Sequence, residues 1–405
     1  MKKKIIIISI IVFSVIFLVV GGLFLYRWYQ QYRIDNAEII VELSNNLNID
    51  VYSDVKLSDL IISINGELVD DFIINTNKVG TKHIEFKYVN DDDILVSYDF
   101  DVNVVDTVAP LIFSSKSFSV TKGYTGDLAS ELFCGDNYDD DPKCELVGYY
   151  DYNIVGTYPI SFVGTDSSGN VSTNNFNLIV KNKSNSSSSG GSGLSSNYQN
   201  FSDIVLKHKT DDTMIGIDVS RWQGDIDFQK VKDAGVEFAY VRVGSQRGVD
   251  GEYYIDPKFE RNIKGFNDVG IPVGIYFYSY ANNIKNAKKE ASWIVEQLKP
   301  YKVDLEVVFD WENWSFYQEF NKSFYNLTEI AKAYLGVIEK AGYKGMLYSS
   351  KNYLENVWFD TKYPVWLAHY TNQTNYQGDY KVWQLCSNGR VNGIYGDVDI
   401  NVMYK

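Results

Sequence analysis

Cysteine, histidine and positive charge are all scarce in this chain, and each scarcity removes a class of function. Three Cys in 405 residues cannot staple a disulfide scaffold. Cys134 and Cys144 bracket a short acidic loop and could pair in an oxidising compartment, which leaves Cys386 over as an expected core thiol. The three His, His83, His208 and His369, stand far apart in no ligand spacing, and the C-terminal half has neither H-E-x-x-H nor a zinc-type Cys pair. No metal and no other cofactor is therefore expected. A Ser-His-Asp triad would have to recruit His369, yet no motif sets a nucleophilic Ser beside it. The G-x-x-x-x-G-K-[ST] phosphate loop is also missing. Lys and Arg number 38 against 52 Asp and Glu, a net charge of -14, which excludes nucleic acid as a partner because phosphates demand a basic footprint. Binding to an anionic wall polymer would likewise not be driven by charge.

Aromatic residues, by contrast, make up 15% of the chain, led by 32 Tyr, more than cores alone require, so some rings are expected on a working surface. The length suits two or three domains.

Lys2, Lys3 and Lys4 precede an uncharged apolar run from Ile5 to Tyr26, long enough to cross a hydrocarbon layer of about 30 Å as a helix. The basic residues favour keeping the N-terminal end in the cytoplasm, so everything after Arg27 is expected outside the membrane. A cleaved signal peptide is the rival reading, but the run exceeds a usual h-region and Gly21-Gly22-Leu23-Phe24 offers no clear small-x-small site. Residues 1–33 are accordingly read as a cytoplasmic tip and membrane anchor.

A repeat follows. Asn77-Lys78-Val79-Gly80-Thr81 with Ile84, Phe86 and Tyr88 recurs as Asn153-Ile154-Val155-Gly156-Thr157 with Ile160 and Phe162, an offset of 76 residues (155 minus 79). Each copy continues into a second alternating run, Tyr98, Phe100, Val102, Val104 and then Phe176, Leu178, Val180, and period-two alternation means half-buried strands. Asp166-Ser167-Ser168-Gly169-Asn170 reads as a hairpin turn. Two β-sandwich modules are expected, 34–106 and 107–181. Both resemble bacterial Ig-like repeats of surface proteins, the second more closely through Asp106-Thr107-Val108-Ala109-Pro110 and Gly164-Thr165-Asp166. The resemblance carries no chemistry: a spacer is the plain expectation, and contact with the wall or a secretion apparatus is the sharper one. A Ser/Gly-rich linker, 182–212, is expected to separate the modules from the last domain and give it reach.

Over 213–405 strand-like runs alternate with helical ones. Met214 to Val219, Phe238 to Val243, Val273 to Tyr278, Val307 to Trp311, Met346 to Ser349 and Val365 to Ala368 are apolar and rich in β-formers. Helices are expected from Asp227 to Gly235, from Asp256-Pro257 to Gly270 and from about Leu327 to Gly342. Such alternation predicts an α/β fold, a small or irregular (β/α) TIM-like barrel, whose chemistry belongs where its strands end. Asp218, Asp310, Glu312 and Asp399 occupy such ends. Residues two apart on a strand share a face, so Asp310 and Glu312 project together with Cα atoms roughly 6.5 Å apart. Two carboxylates that close cannot both ionise freely, and the one that keeps its proton is the donor that cleavage of a glycosidic bond requires.

Gly216-Ile217-Asp218-Val219-Ser220-Arg221-Trp222-Gln223-Gly224, Ile226-Asp227-Phe228, Phe309-Asp310-Trp311-Glu312, Trp366-Leu367-Ala368-His369-Tyr370 and the ending Trp383-Gln384 through Val398-Asp399-Ile400-Asn401 resemble, in chain order, the glycoside hydrolase family 25 lysozymes. The resemblance implies hydrolysis of the β-1,4 bond after N-acetylmuramic acid in the glycan strands of peptidoglycan. It implies Glu312 as general acid and Asp310 as the group assisting at the anomeric centre, by direct attack, by orienting the substrate's acetamido group or by activating water. Asp218 and Asp399 would line the same pocket. Tyr278, Trp366, Tyr370 and Gln384 are expected as sugar contacts, with weaker expectations for Tyr240 and Tyr276. Two functions remain open: an active membrane-tethered muramidase, or a surface protein that binds peptidoglycan without cutting it. The intact Asp310 and Glu312 favour the enzyme.

Overall fold

A computed structural model of the chain describes residues 2–113, 117–129, 132–183, 197–312 and 322–405. The Ser/Gly run of the expected linker and Trp314, which flanks the acidic pair in sequence, lie outside the described residues. Helix α1 (Lys2–Asp35) contains the apolar run. Its segment Phe13–Asp35 is long and apolar enough to cross a membrane, and its most apolar window is 0% buried against the rest of the protein. A helix satisfies its backbone hydrogen bonds within itself, which suits such a stretch to lipid.

The chain divides into two compact units, residues 1–107 and 108–405. In the first, β1 (Val41–Leu43) pairs with β3 (Ile61–Ile64), while β2 (Asn48–Asp50), β6 (Leu95–Val105), β5 (Gly80–Asn90) and β4 (Gly66–Leu68) form a second sheet in that order. The alternating residues Ile84, Phe86, Tyr88, Val96, Phe100 and Val102 face inward as one core, as period two requires. The second unit opens with β7 (Leu111–Phe113), β8 (Ser117–Thr121), β9 (Phe133–Gly135), β10 (Lys143–Val147), β11 (Gly156–Thr165) and β12 (Val171–Lys181). They form a two-stranded sheet, β7-β9, and a four-stranded one, β10-β11-β12-β8. The sequence repeat is a repeat of register: Gly80 pairs with Val104 and Gly156 with Val180, each 24 residues on (104 minus 80, 180 minus 156). Cys134 and Cys144 form a disulfide, and Cys386 is free and buried.

After β13 (Gln199–Asn200) and α2 (Phe201–His208) comes a closed barrel. Its strands are β14 (Thr213–Val219), β15 (Phe238–Gln246), β17 (Val273–Tyr278), β18 (Val307–Asp310), β19 (Gly345–Ser350), β20 (Val365–Ala368), β21 (Val382–Arg390) and β22 (Val398–Tyr404), with the short β16 (Tyr253–Ile255) pairing on β15. The first seven run parallel. β22 closes the ring antiparallel to both β14 and β21, the irregularity in an otherwise (β/α) arrangement. Helices α3 (Phe228–Asp233), α4 (Phe259–Asp268), α5 (Ile284–Leu298), α6 (Phe324–Lys340) and α7 (Lys351–Asn356) cover it. Asp227, Asn283, Ser323 and Ser350 accept backbone N–H groups at the starts of α3, α5, α6 and α7, and Gly235 and Gly270 take positive φ just past α3 and α4. Helix α5 is an element for which the sequence reading named no counterpart.

The barrel and residues 108–181 are in direct contact. Residues 108–181 belong to the same compact unit and pack on α6. Phe133 is counted in the barrel's own hydrophobic core, with its ring stacked 6.3 Å from Phe324. The Asp140 carboxylate accepts hydrogen bonds from the Ser323 N–H and the Asn326 amide, both at 2.7 Å. Phe324 N–H donates to the Asp136 carbonyl at 2.8 Å. The disulfide-closed loop thus sits on the N-terminus of the helix that follows the acidic pair.

Candidate active site

Strand ends at the C-terminal rim of the barrel deliver the acids to one place. Asp218 is opposite Asp399 across the β14–β22 pair. Asp310 ends β18 between Tyr278 of β17 and Tyr348 of β19, its direct partners in register. Glu312 follows two residues later and reaches solvent, whereas Asp310 is buried. A cavity of about 690 Å³, counting its open mouth, is lined by Asp218, Asp310, Glu312, Asp399, Tyr278, Trp366, Tyr370 and Gln384. Those are the eight residues singled out from the sequence. Tyr276 joins them, but Tyr240 does not: it lies below, stacked 4.5 Å on Trp366 with its hydroxyl on Glu306.

A hydrogen-bonded chain fixes most of these groups. Asp218 Oδ2 accepts from Gln384 Nε2 at 2.9 Å and from Asn401 Nδ2 at 2.8 Å. Asn401 in turn accepts from the Trp366 indole at 2.8 Å, and Gln384 accepts the hydroxyls of Tyr348 at 2.8 Å and Tyr370 at 3.1 Å. Rings and amides held this way need no reordering when a ligand enters, which is the main advantage of a pre-formed site.

Burial raises all four carboxyls of the cavity, and neighbouring charge adds to it for Asp218, Asp310 and Asp399. Burial pushes Asp218 up to about 6 against the pull of Asn401 and Gln384. Burial and the Asp218 charge push Asp399 up to about 9. The Asp310 and Glu312 carboxyls perturb each other and titrate as a pair, so a proton belongs to the pair. Burial holds Asp310 well above the usual carboxylate range and the Glu312 charge lifts it further, with Arg242 opposing. Burial raises Glu312 too, and the neighbouring Asp310 carboxyl offsets part of that. Asp310 Oδ1 is buried and has no protein hydrogen-bond partner. The arrangement can therefore deliver one proton and stabilise one positive charge at a single point.

Several lining residues escaped the sequence reading. Arg242, the cavity's cation, is clamped by Asp256 at 2.6 and 2.9 Å, and Asp256 also accepts the Arg221 N–H. Arg242 follows Tyr240 by two on β15, and that shared face was the available signal. Tyr348 was hidden in a run that reads as core. Trp222, 72% exposed under the Arg221 guanidinium, presents a flat ring at the mouth and was visible only as part of a motif. A second, less charged cavity adjoins the first at Glu312, Tyr348 and Tyr370, and extends over Trp311, Ser350, Asn352, Tyr353 and Ala368. Glu312 thus stands between two chambers of one groove.

Residues 217–394 match the family model described as glycosyl hydrolases family 25. Among curated proteins, the uncharacterized protein YegX of Escherichia coli O157:H7 is 30% identical over 200 residues, covering 47% of this chain and 69% of that protein. An autolytic lysozyme of Clostridium acetobutylicum is 26% identical over 191 residues, covering 46% of this chain and 55% of that protein. Among solved structures, the modular autolysin LytC of Streptococcus pneumoniae, in complex with a synthetic peptidoglycan ligand, is 26% identical with a TM-score of 0.44. That match covers 60% of this chain, and the chain spans 56% of that autolysin.

Proposed function

The chain belongs to glycosyl hydrolase family 25, and from that premise we propose that it is a muramidase held at the outer face of a bacterial membrane. Its reaction is hydrolysis of the β-1,4 bond between N-acetylmuramic acid and N-acetylglucosamine in peptidoglycan. The observation that carries this is the position of the Asp310–Glu312 carboxyl pair, with Glu312 lining both chambers of an aromatic-lined groove. A glycan strand lying along that groove would present one sugar to each chamber, with the bridging oxygen beside Glu312.

Glu312 then acts as general acid, protonating the leaving oxygen, and Asp310 serves the anomeric centre. Asp310 attacks, aligns the acetamido oxygen of an N-acetyl sugar, or draws a proton from water. The first route leaves a glycosyl-enzyme that water must open, with Glu312 returning as base. The Asp218 carboxylate helps keep the proton on Asp310 by its negative field, and Arg242 opposes that effect. Tyr278, Trp366, Tyr370 and Gln384 hold the sugar through ring faces and polar tips.

Helix α1 supports a membrane anchor, with the three lysines on its cytoplasmic side. The repeats at 34–106 and 107–181 are read as Ig-like modules standing between membrane and wall. Purified peptidoglycan incubated with the full chain in detergent, then reduced with borohydride, tests the reaction: new ends are expected as muramitol. New ends reduced to glucosaminitol, or polymer bound and left intact, contradict it.

A further inference from the structure

Glu290 is a buried acid that no step above uses. It lies on α5, is 0% exposed, and lines neither chamber of the groove. A carboxyl sealed inside protein is costly unless something holds it, and an apolar residue would fill the same space more cheaply. Its partners are not cations. Oε2 accepts the Ser279 hydroxyl at 2.5 Å and Oε1 accepts the Tyr280 N–H at 3.3 Å.

Both partners belong to the turn that leaves β17, and that turn touches the chemistry directly. Tyr278, its first residue, lines the cavity. Ser279 N–H donates to the carbonyl oxygen of Asp310 at 2.7 Å. The turn is tied to β15 as well, since the Ser245 hydroxyl donates to the Tyr278 carbonyl at 2.8 Å. Glu290 holds two residues of this turn, Ser279 and Tyr280, and lines neither chamber.

We propose that Glu290 is a positioning residue for the catalytic pair: by holding Ser279 and Tyr280 it sets where Tyr278 and the Asp310 backbone stand. This rests on the reading of Asp310 and Glu312 as the acids of a muramidase. Burial pushes Glu290 up to about 7 against the pull of Ser279 and Tyr280. The titratable groups facing it are Tyr253 of β16 and Tyr334 of α6, and both are raised by burial and by the Glu290 charge, so they stay neutral. As a carboxylate Glu290 accepts from both donors. Once protonated, one oxygen must donate, and the Ser279 hydroxyl has to turn away. The hold on the turn therefore changes near neutral pH.

The test uses the full chain in detergent with soluble peptidoglycan fragments, measuring kcat and KM from pH 5 to 9 for the parent, Glu290→Gln, Glu290→Ala, Ser279→Ala and Glu312→Gln. Glu290→Ala is expected to lower kcat on the order of 10-fold or more at temperatures where circular dichroism shows it folded, as small displacements of reacting groups do. Glu290→Gln, which can accept from Tyr280 and donate to the Ser279 oxygen, is expected to recover most of that rate and to lose the step in the pH profile near 7. A merely structural residue would lower the melting temperature and leave both the rate and the profile in place. Should Glu290→Ala not fold, Ser279→Ala carries the test, since it keeps the backbone bond to Asp310 and loses the hydroxyl's bonds to Glu290 and to the Ala281 N–H. Rates within twofold of the parent across the pH range in the variant that folds overturn the proposal. If Glu312→Gln remains active, the muramidase reading fails; if it is dead while the Glu290 and Ser279 variants match the parent, only the positioning role fails.

Discussion

Replacing Phe133 by Ala tests whether residues 108–181 are structurally one with the barrel. Phe133 is 8% exposed, lies in the same hydrophobic core as the barrel helices and stacks on Phe324. Truncating a buried Phe costs about 3–5 kcal/mol through lost transfer energy and the cavity left behind. For a unit of this size each kcal/mol shifts the midpoint by roughly 2–4 °C, so a fall on the order of 10 °C is expected. Asp140→Ala removes two hydrogen bonds to the start of α6 and should add about 1 kcal/mol, less than its geometry suggests because the carboxylate is partly solvated. Differential scanning calorimetry of the full chain reads both, and the second unit should melt as one transition in the parent. A shift under 1 °C for Phe133→Ala, or separate parental transitions for residues 108–181 and the barrel, would refute the reasoning.

Other outcomes follow from the network. Asp218→Asn removes the charge that helps raise Asp399, so Asp399, now near 9, should titrate lower when followed by carboxyl-carbon NMR. Trp366→Phe leaves the Asn401 carbonyl oxygen without its indole donor and should cost about 1–3 kcal/mol in chemical denaturation. Asp218 and Glu290 bind protons more tightly folded than unfolded, so between the ordinary carboxylate range and about 6 to 7 the folded state holds more protons than the unfolded one. Stability from these groups is therefore greatest below that window and falls as pH rises through it. The midpoint should be higher at pH 5 than at pH 8 by an amount that Glu290→Gln reduces.

Much of this site was legible because its acids end strands. Asp218 and the Asp310–Glu312 pair each close an apolar run, and strand periodicity is enough to put such residues on one rim. Which residues of the two repeats face inward was legible for the same reason, since alternation fixes the face, whereas the pairing of Gly80 with Val104 and Gly156 with Val180 came only with the structure. The docking of Asp140 on Ser323 was not, since 183 residues separate them and neither carries a periodic signal. Nor was β22 legible as an antiparallel closing strand, because parallel and antiparallel partners call for the same apolar residues. Arg242 and Tyr348 were missed because a residue pointing into a small barrel sits among core side chains, and only the geometry separates a lining group from a packed one. Tyr240 shows the converse: on the same strand face as Arg242, it stops one layer short of the groove.

The central claim is that Asp310 and Glu312 cut the glycan. Its most direct test is the rate of reducing-end release from peptidoglycan by the full chain, beside Glu312→Gln and Asp310→Asn, each checked by calorimetry for an intact fold. Release by the parent with a loss of at least about 100-fold in both variants is predicted, the range that removal of a general acid produces. Release by folded Glu312→Gln at the parental rate would contradict the account.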